Sequence, residues 1–269
     1  MTAFVCMTCG VQHAPSTEPP ERCAVCQDER QYVGRGGQRW TTIEGLGRAG
    51  HHNVLREIEP GLTEIRTDPR FAIGQRALLV RTPDGGVLWD CVSYLDPETV
   101  GALGELGGVA AIACSHPHFY ASMVEWAHAF GAEVLVPEAD REWVMRPDPV
   151  IRLWSGSLEV LPGVTVVQTG GHFEGSAVLH WAEGAEGRGA LLTGDSISVV
   201  ADPRWLTFMR SYPNYIPLPP DAVRGIVEAV RPLEFDRIYA GWSGDDLLEG
   251  AKDAVERSAA RYVRWVGDA

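Results

Sequence analysis

The 269-residue chain carries 36 acidic against 23 basic residues, a formal net charge of −13, which argues against a nucleic-acid partner because phosphate binding needs clustered Lys and Arg. Its hydrophobic content of 45% includes no continuous apolar run of membrane length and no charged-then-apolar leader, so a cytoplasmic protein without a membrane partner is expected. The length suffices for one large α/β domain plus a small module.

From the start of the chain, Cys6-x-x-Cys9 and Cys23-x-x-Cys26 lie thirteen residues apart, with glycine and proline between them. Paired CxxC knuckles joined by a short loop can place four thiolates tetrahedrally, which suits a structural zinc and, as the lesser alternative, a rubredoxin-like iron. Disulfides are the bland alternative, disfavoured by an unprocessed cytosolic sequence. Residues 1–36 are too short to build a core alone, so a bound ion would supply most of the folding free energy of this zinc-ribbon-like module, and residues 37–269 form the main domain.

Residues 34–53 read as the connection. Gly45-Leu46-Gly47-Arg48-Ala49-Gly50 satisfies GxGxxG by spacing, but it lacks a preceding strand and a convincing following helix, so it carries no dinucleotide reading. His51 and His52 read as loop residues without metal. The main domain then shows strand-like runs at 62–66, 77–81 and 87–90, a helix at 98–106, and a strand at 109–113. Residues 119–130 have apolar side chains at helical spacing, 133–136 form a strand, 138–145 a short helix, and 151–193 several strands of a second sheet. Helices return at 220–230 and 247–266 around a strand at 237–240. In the last helix Leu248, Ala251, Val255, Ala259, Tyr262 and Val266 make a core-facing stripe.

The chemistry concentrates at strand ends. His116 and His118 sit at i and i+2 around Pro117, directly after the apolar run 109–113, and can aim at one point. His172 follows in a glycine-rich turn, and Asp195 ends the run 190–194. Three neutral imidazoles and a carboxylate converging from strand ends suit a transition metal. This pattern resembles the metallo-β-lactamase superfamily, whose ligands come from a His-x-His-x-Asp-His motif, a Gly-His turn, a Gly-Asp strand end and a late histidine. The resemblance covers about residues 54–266 and implies a four-layer αββα sandwich.

Where the motif has its Asp and last His, this chain has Tyr120 and Ala121, and near the late histidine it reads Gly241-Trp242-Ser243. In dinuclear members the three missing residues help hold the second metal. One divalent ion is therefore expected, held by His116, His118, His172 and Asp195, with Zn first and Fe or Mn as alternatives. Asp90, at a neighbouring strand end, could fix the tautomer of a ligand histidine or serve as a turn cap.

A single ion of this kind implies hydrolysis of an ester, thioester or lactone, with Asp195 orienting the water or taking its proton. Tyr120 could donate to a substrate oxygen in place of the second metal, or merely line the pocket. The aromatic and proline-rich stretch 202–219, with Trp205, Phe208, Met209, Tyr212 and Tyr215, is expected to fold over the metal as a pocket wall joined by Trp242. Such a wall favours a small-molecule substrate with a sizeable apolar part, although homo-oligomer contacts would also account for its composition. Cys91 and Cys114 read as core thiols. Two other functions remain open. His116, His172 and Asp195 alone could form an Fe(II) face like that of sulfur dioxygenases, or the ribbon could dock a partner on a non-catalytic scaffold.

Overall fold

The structure, a computed structural model, describes residues 1–267. Two sheets pack face to face. The first has seven strands in sequential order, His52–Glu59, Leu62–Asp68, Arg76–Thr82, Gly85–Trp89, Ala111–Ala113, Glu133–Pro137 and Ile151–Trp154. Its first four strands form an antiparallel meander, and the last three run parallel to Gly85–Trp89 and to one another. The second sheet orders Ser157–Leu161, Val164–Gln168, Ala177–Trp181, Ala190–Gly194, Arg237–Ala240 and Asp246–Leu247, with the Ala190–Gly194 and Arg237–Ala240 pair parallel.

Alternation along the strands builds the layers. Leu78 and Val80 point into the space between the sheets, where they meet Leu179, Leu192 and Trp181, while Ala77 and Leu79 point outward. Successive side chains on a strand face opposite sides, so a strand covered on both faces reads as the continuous apolar run Ala77-Leu78-Leu79-Val80. The outer face of the first sheet carries Pro97–Glu105 and Met123–Phe130, through Leu103, Val124, Trp126 and Ala127. On the second sheet Val178, Leu191 and Ile238 meet Val223, Ile226 and Val227 of Pro220–Val230 and Ala254 and Val255 of Ala251–Val266. The result is the expected αββα sandwich.

Local departures have physical causes. The expected helix at 138–145 is a 3-10 segment, Glu138–Trp143. Ile151–Trp154 joins the first sheet, because a parallel edge beside Glu133–Pro137 was still open to it. His52–Glu59, read as connection at its start, is an edge strand whose Arg56 and Glu57 face solvent and hide the alternation. The 119–130 run divides into the 3-10 turn Pro117–Phe119 and the helix Met123–Phe130. Ala251–Val266 begins later than expected, leaving Leu248 outside the helix and exposed. Gly45 and Gly47 lie in the six-residue helix Ile43–Arg48, whose Gly45 N–H is capped by the Thr42 hydroxyl at 3.0 Å.

The N-terminal residues lie against this sandwich. Val5–Cys6 pairs with Trp40–Thr41, Gln12 N–H donates to Ala121 O at 2.9 Å, and Ala14 N–H to Met145 O at 3.0 Å. Among the described residues no helix is long and apolar enough to cross a membrane.

Candidate metal centre

Four strands deliver the site to one edge of the sandwich. Trp89, Ala113, Gly194 and Ala240 each end a strand of a parallel pair, and Asp90, His116, Asp195 and Trp242 follow them. Crevices beyond the carboxyl ends of parallel strands are where α/β layers present side chains to ligands. The two sheets are tied at this edge by Ala177 N–H donating to Ser115 O at 2.9 Å.

Two glycines permit the convergence. Gly194 adopts φ +50°, and a Cβ there would stand 2.5 Å from Ser115 Oγ, so only glycine brings Asp195 up against His116. Gly171 adopts φ +90°, a conformation that L side chains rarely take, and its Cβ would also crowd Ile226 Cδ1 at 2.6 Å.

His116, His118, His172 and Asp195 are all buried, with one ligating atom of each within 4.8 Å of the others. His172 Nε2 lies 3.2 Å from His118 Nδ1 and 3.6 Å from Asp195 Oδ2, and His116 Nε2 lies 3.4 Å from the same oxygen. Four donors at about 2.0–2.1 Å from one ion stand about 3.4 Å apart at the corners of a tetrahedron, which these separations match. Nε2 of His116 and Oδ1 of Asp195 are buried without a hydrogen-bond partner among the described residues, as befits lone pairs reserved for an ion or its ligand.

The far ring nitrogens of His116 and His172 are held, while Nε2 of His118 has no partner among the described residues. Ser115 Oγ stands 2.8 Å from His116 Nδ1, and Met209 O stands 2.9 Å from His172 Nδ1 and accepts its N–H. The Met209 carbonyl can only accept, so the hydrogen of His172 sits on Nδ1 and Nε2 is left to ligate, whereas the Ser115 hydroxyl orients the His116 ring and can donate or accept. Burial pushes His172 down to about 4 against the opposing pull of Asp195. It also holds His118 well below the usual histidine range, with His116 and His172 adding to it. His118 and His172 are therefore neutral imidazoles, the ligating form, across the physiological range.

The sequence offers Asp90 as a tautomer-fixing acceptor or as a turn cap. Its carboxylate accepts from Ser115 N–H at 2.7 Å and does not touch a histidine. It fixes the backbone of the serine that in turn meets His116. Burial holds its carboxyl well above the usual range.

A cavity of about 230 Å³ opens on the cluster, lined among others by His118, His172, Asp195, Tyr212 and Trp242. Tyr212 donates from its hydroxyl to Asp195 O at 3.1 Å, and Trp242 Nε1–H to Ile73 O at 3.1 Å. Trp205 and Phe208, expected in the same wall, are placed elsewhere. The segment folds into two small hairpins, which turn Phe208 into the core against the helices of the second sheet and leave Trp205 under the Arg261 guanidinium at 3.8 Å. Tyr120 does not line the cavity either. Its side chain is buried in the core of the first sheet, its hydroxyl has no partner among the described residues, and burial raises its pKa well above the usual phenol range.

The cavity also contains residues that sequence reasoning missed. Arg30, Gln31 and Tyr32 line one side, and Arg70 and Ile73 another. The only signal for the first three was their position directly after the second cysteine knuckle. A larger groove of about 930 Å³ between the N-terminal residues and the helix Met123–Phe130 brings together no cluster of ligating side chains among the described residues.

The second cluster is Cys6, Cys9, Cys23 and Cys26, all buried and free. The Cys6 and Cys26 sulfurs lie 3.5 Å apart and those of Cys9 and Cys23 lie 3.6 Å apart, near the roughly 3.8 Å separation that tetrahedral Zn–S bonds of about 2.3 Å give. Gln38 Nε2 donates to Cys6 Sγ at 3.1 Å and Thr8 N–H to the same sulfur at 3.4 Å. Hydrogen bonding among the four thiols splits them, holding Cys6 and Cys23 below the usual thiol range and Cys26 above it, while burial and the same bonds hold Cys9 above it. Cys91 and Cys114 are buried in the core of the first sheet, where the bond to Cys91 and burial push Cys114 well up.

No family model matches the chain. The chain is 50% identical over 266 residues to the uncharacterized protein YmaE of Bacillus subtilis (strain 168), covering 98% of this chain and 97% of that one. Among solved structures, VMB-1 superposes with a TM-score of 0.59 at 12% identity, covering 80% of this chain and 99% of its own. A metallo-β-lactamase from Hirschia baltica gives 0.54 at 16%, covering 77% and 96%. MEM-A1, a subclass B3 metallo-β-lactamase from a soil metagenome library, gives 0.52 at 17%, covering 78% and 95%. The chain belongs to the family of YmaE and carries the metallo-β-lactamase fold, with a group of three histidines and one aspartate at the strand ends and a four-cysteine group near the N-terminus.

Proposed function

We propose that the chain is a mononuclear metal-dependent hydrolase acting on an ester, thioester or lactone with an apolar part. His116 Nε2, His118 Nδ1, His172 Nε2 and Asp195 Oδ2 would hold the ion. When bound, a divalent ion of this kind polarises an acyl oxygen and brings the pKa of water from 15.7 toward about 7. The observation that carries the reading is the mutual approach of three buried imidazoles and one carboxylate, with the far ring nitrogens of His116 and His172 hydrogen-bonded.

The chain's own groups do the rest. Asp195 Oδ1, which no described residue hydrogen-bonds, accepts a proton from the water as its oxygen bonds to the acyl carbon, and returns that proton to the leaving alcohol or thiol. Tyr212, by donating to Asp195 O, sets the backbone from which that carboxylate projects. Trp242 and Tyr32, with Pro213 and Ile73, give the cavity the apolar walls that would take the nonpolar part of the substrate and exclude bulk water.

One ion is proposed because the positions that complete a second socket are otherwise engaged. Tyr120 is in the core, Ala121 O accepts Gln12 N–H, and Trp242 stands near the late-histidine position. The four donors also stand together, which disfavours the open two-histidine, one-carboxylate face that a dioxygenase needs.

Elemental analysis of anaerobically purified protein, with and without His172→Ala, tests the metal assignment. Aryl ester, thioester and lactone assays with an oxygen electrode test the chemistry. Two metal populations, only one falling in the variant, and turnover without oxygen uptake support the proposal. Iron with oxygen uptake, or no turnover and no histidine-bound metal, refutes it.

A further inference from the structure

The second cysteine knuckle does not end at its own cluster. The chain leaves it through residues 28–32 and passes against the loop that bears His172. Arg30, with a side chain only 3% exposed, donates from Nε to His172 O at 2.7 Å. Its Nη2 meets the Glu174 carboxylate at 3.2 and 3.3 Å, its Nη1 returns to Asp28 at 3.0 Å, and the guanidinium lies 4.1 Å from the centroid of the Phe173 ring. One side chain thus engages three consecutive residues around a proposed ligand.

The same stretch holds the other side of that histidine. Ser211 Oγ donates to Arg30 O at 3.0 Å, and Asn214 Nδ2 donates to the carbonyls of Glu29 and Gln31 at 2.9 Å each. Ser211 and Asn214 belong to the hairpin whose Met209 carbonyl accepts His172 Nδ1–H. Both the backbone of His172 and the acceptor that fixes its tautomer are therefore fastened to the segment that follows Cys26. A guanidinium withdrawn from water is costly unless its donors are satisfied, and here Nε and Nη2 are satisfied by this loop and Nη1 by Asp28.

We propose that Arg30 is a positioning residue for His172, and that folding of the four-cysteine module around its own ion puts Arg30 in place, so that occupancy of the cysteine site sets the metal affinity of the histidine site. The inference rests on reading His116, His118, His172 and Asp195 as metal ligands. Groups that orient a ligand histidine from behind change metal affinity by about 10–100-fold when removed.

The test is Co(II) titration of the full-length protein. Cobalt at four thiolates gives an intense near-ultraviolet thiolate band that a nitrogen and oxygen site lacks, so the two sites fill under separate signals. In Arg30→Ala the thiolate band is expected unchanged, the histidine-site affinity about 10–100-fold weaker, and the visible band of that site altered in shape. Arg30→Lys, which keeps a cation beside Glu174 but loses the planar fork, is expected to fall between. The double variant Cys23→Ser and Cys26→Ser is expected to weaken the histidine site at least as far as Arg30→Ala. Unchanged histidine-site affinity in both Arg30 variants, with the thiolate band intact, overturns the inference alone. A wild type that takes up Co(II) only at the cysteines overturns the metal-site reading and this inference with it. Should the cysteine variant fail to fold, the Arg30→Lys result decides, because its module is intact.

Discussion

Asp140 lies behind the His172 turn, fully buried, where its Oδ1 accepts Gly175 N–H at 2.7 Å and its Oδ2 has no partner among the described residues. Burial raises its pKa from an ordinary 3.8 to about 7, Gly175 N–H and Arg30 opposing and Glu174 adding to the rise. At 1.36 kcal/mol per pH unit that rise corresponds to about 4 kcal/mol, or about 2–4 kcal/mol once relaxation around the ionised group is allowed for. The folded protein keeps this proton where the unfolded chain has already lost it. Its stabilising contribution is thus complete below about pH 4, declines as the pH rises, and is gone above about pH 7. Asp140→Asn keeps an oxygen for Gly175 N–H and removes the titration. Urea denaturation of both proteins between about pH 4 and 8.5, at fixed saturating metal, is expected to show near-equal stability at the acid end. At about pH 8 the variant is expected to be more stable by about 2–4 kcal/mol. A difference that does not change with pH, or a variant less stable at the alkaline end, refutes the reasoning.

Tyr120→Phe removes a buried hydroxyl that lacks a partner, so stability should be unchanged or about 1 kcal/mol higher, and turnover within about twofold of wild type, by thermal melts and steady-state assay. A large loss of turnover would restore the catalytic role that the sequence suggests for this residue. Arg76 is buried, bonded from Nη1 to Glu64 at 2.9 Å and from Nε and Nη2 to Ala240 O at 3.0 and 2.8 Å, at the base of the turn bearing Trp242. Arg76→Met takes the buried cation from Glu64 Oε2 and from Asp246, leaving Glu64 only the more exposed Arg56 at 3.2 Å and Ser243 at 3.0 Å on its other oxygen, and should cost about 3–5 kcal/mol in urea denaturation; a cost below about 1 kcal/mol would contradict the placement. Cys9→Ser should lose one metal equivalent and loosen residues 1–36, read as rapid proteolytic nicking there while the sandwich persists. Equal resistance to protease would show that the module does not need its ion.

Much of this arrangement can be read from the residues because its physics is local. Strands buried on both faces show as unbroken apolar runs such as Ala77-Leu78-Leu79-Val80, and strand ends followed by His116 or Asp195 announce themselves. What escapes depends on the tertiary partner. Ile151–Trp154 has the same pattern in either sheet, and only the open edge beside Glu133–Pro137 chooses between them. Aromatic content marks residues 202–219 as apolar, but composition does not tell which face of a hairpin turns to the cavity, so Tyr212 lines it as expected and Phe208 does not. Arg30 lies 142 positions from the carbonyl it holds, and nothing in its neighbourhood distinguishes it from a solvated arginine. Asp90 stands at the expected edge, yet its partner, Ser115 N–H, is a backbone group invisible to side-chain motifs.

The central claim is that one ion sits among His116, His118, His172 and Asp195 and that no second ion sits beside it. An anomalous-difference map, collected at the absorption edge of the bound metal on crystals grown with that metal in excess, tests this directly. The expected result is one peak bounded by those four side chains and another enclosed by the four cysteines. Two peaks in the histidine cavity, or none, would contradict the account.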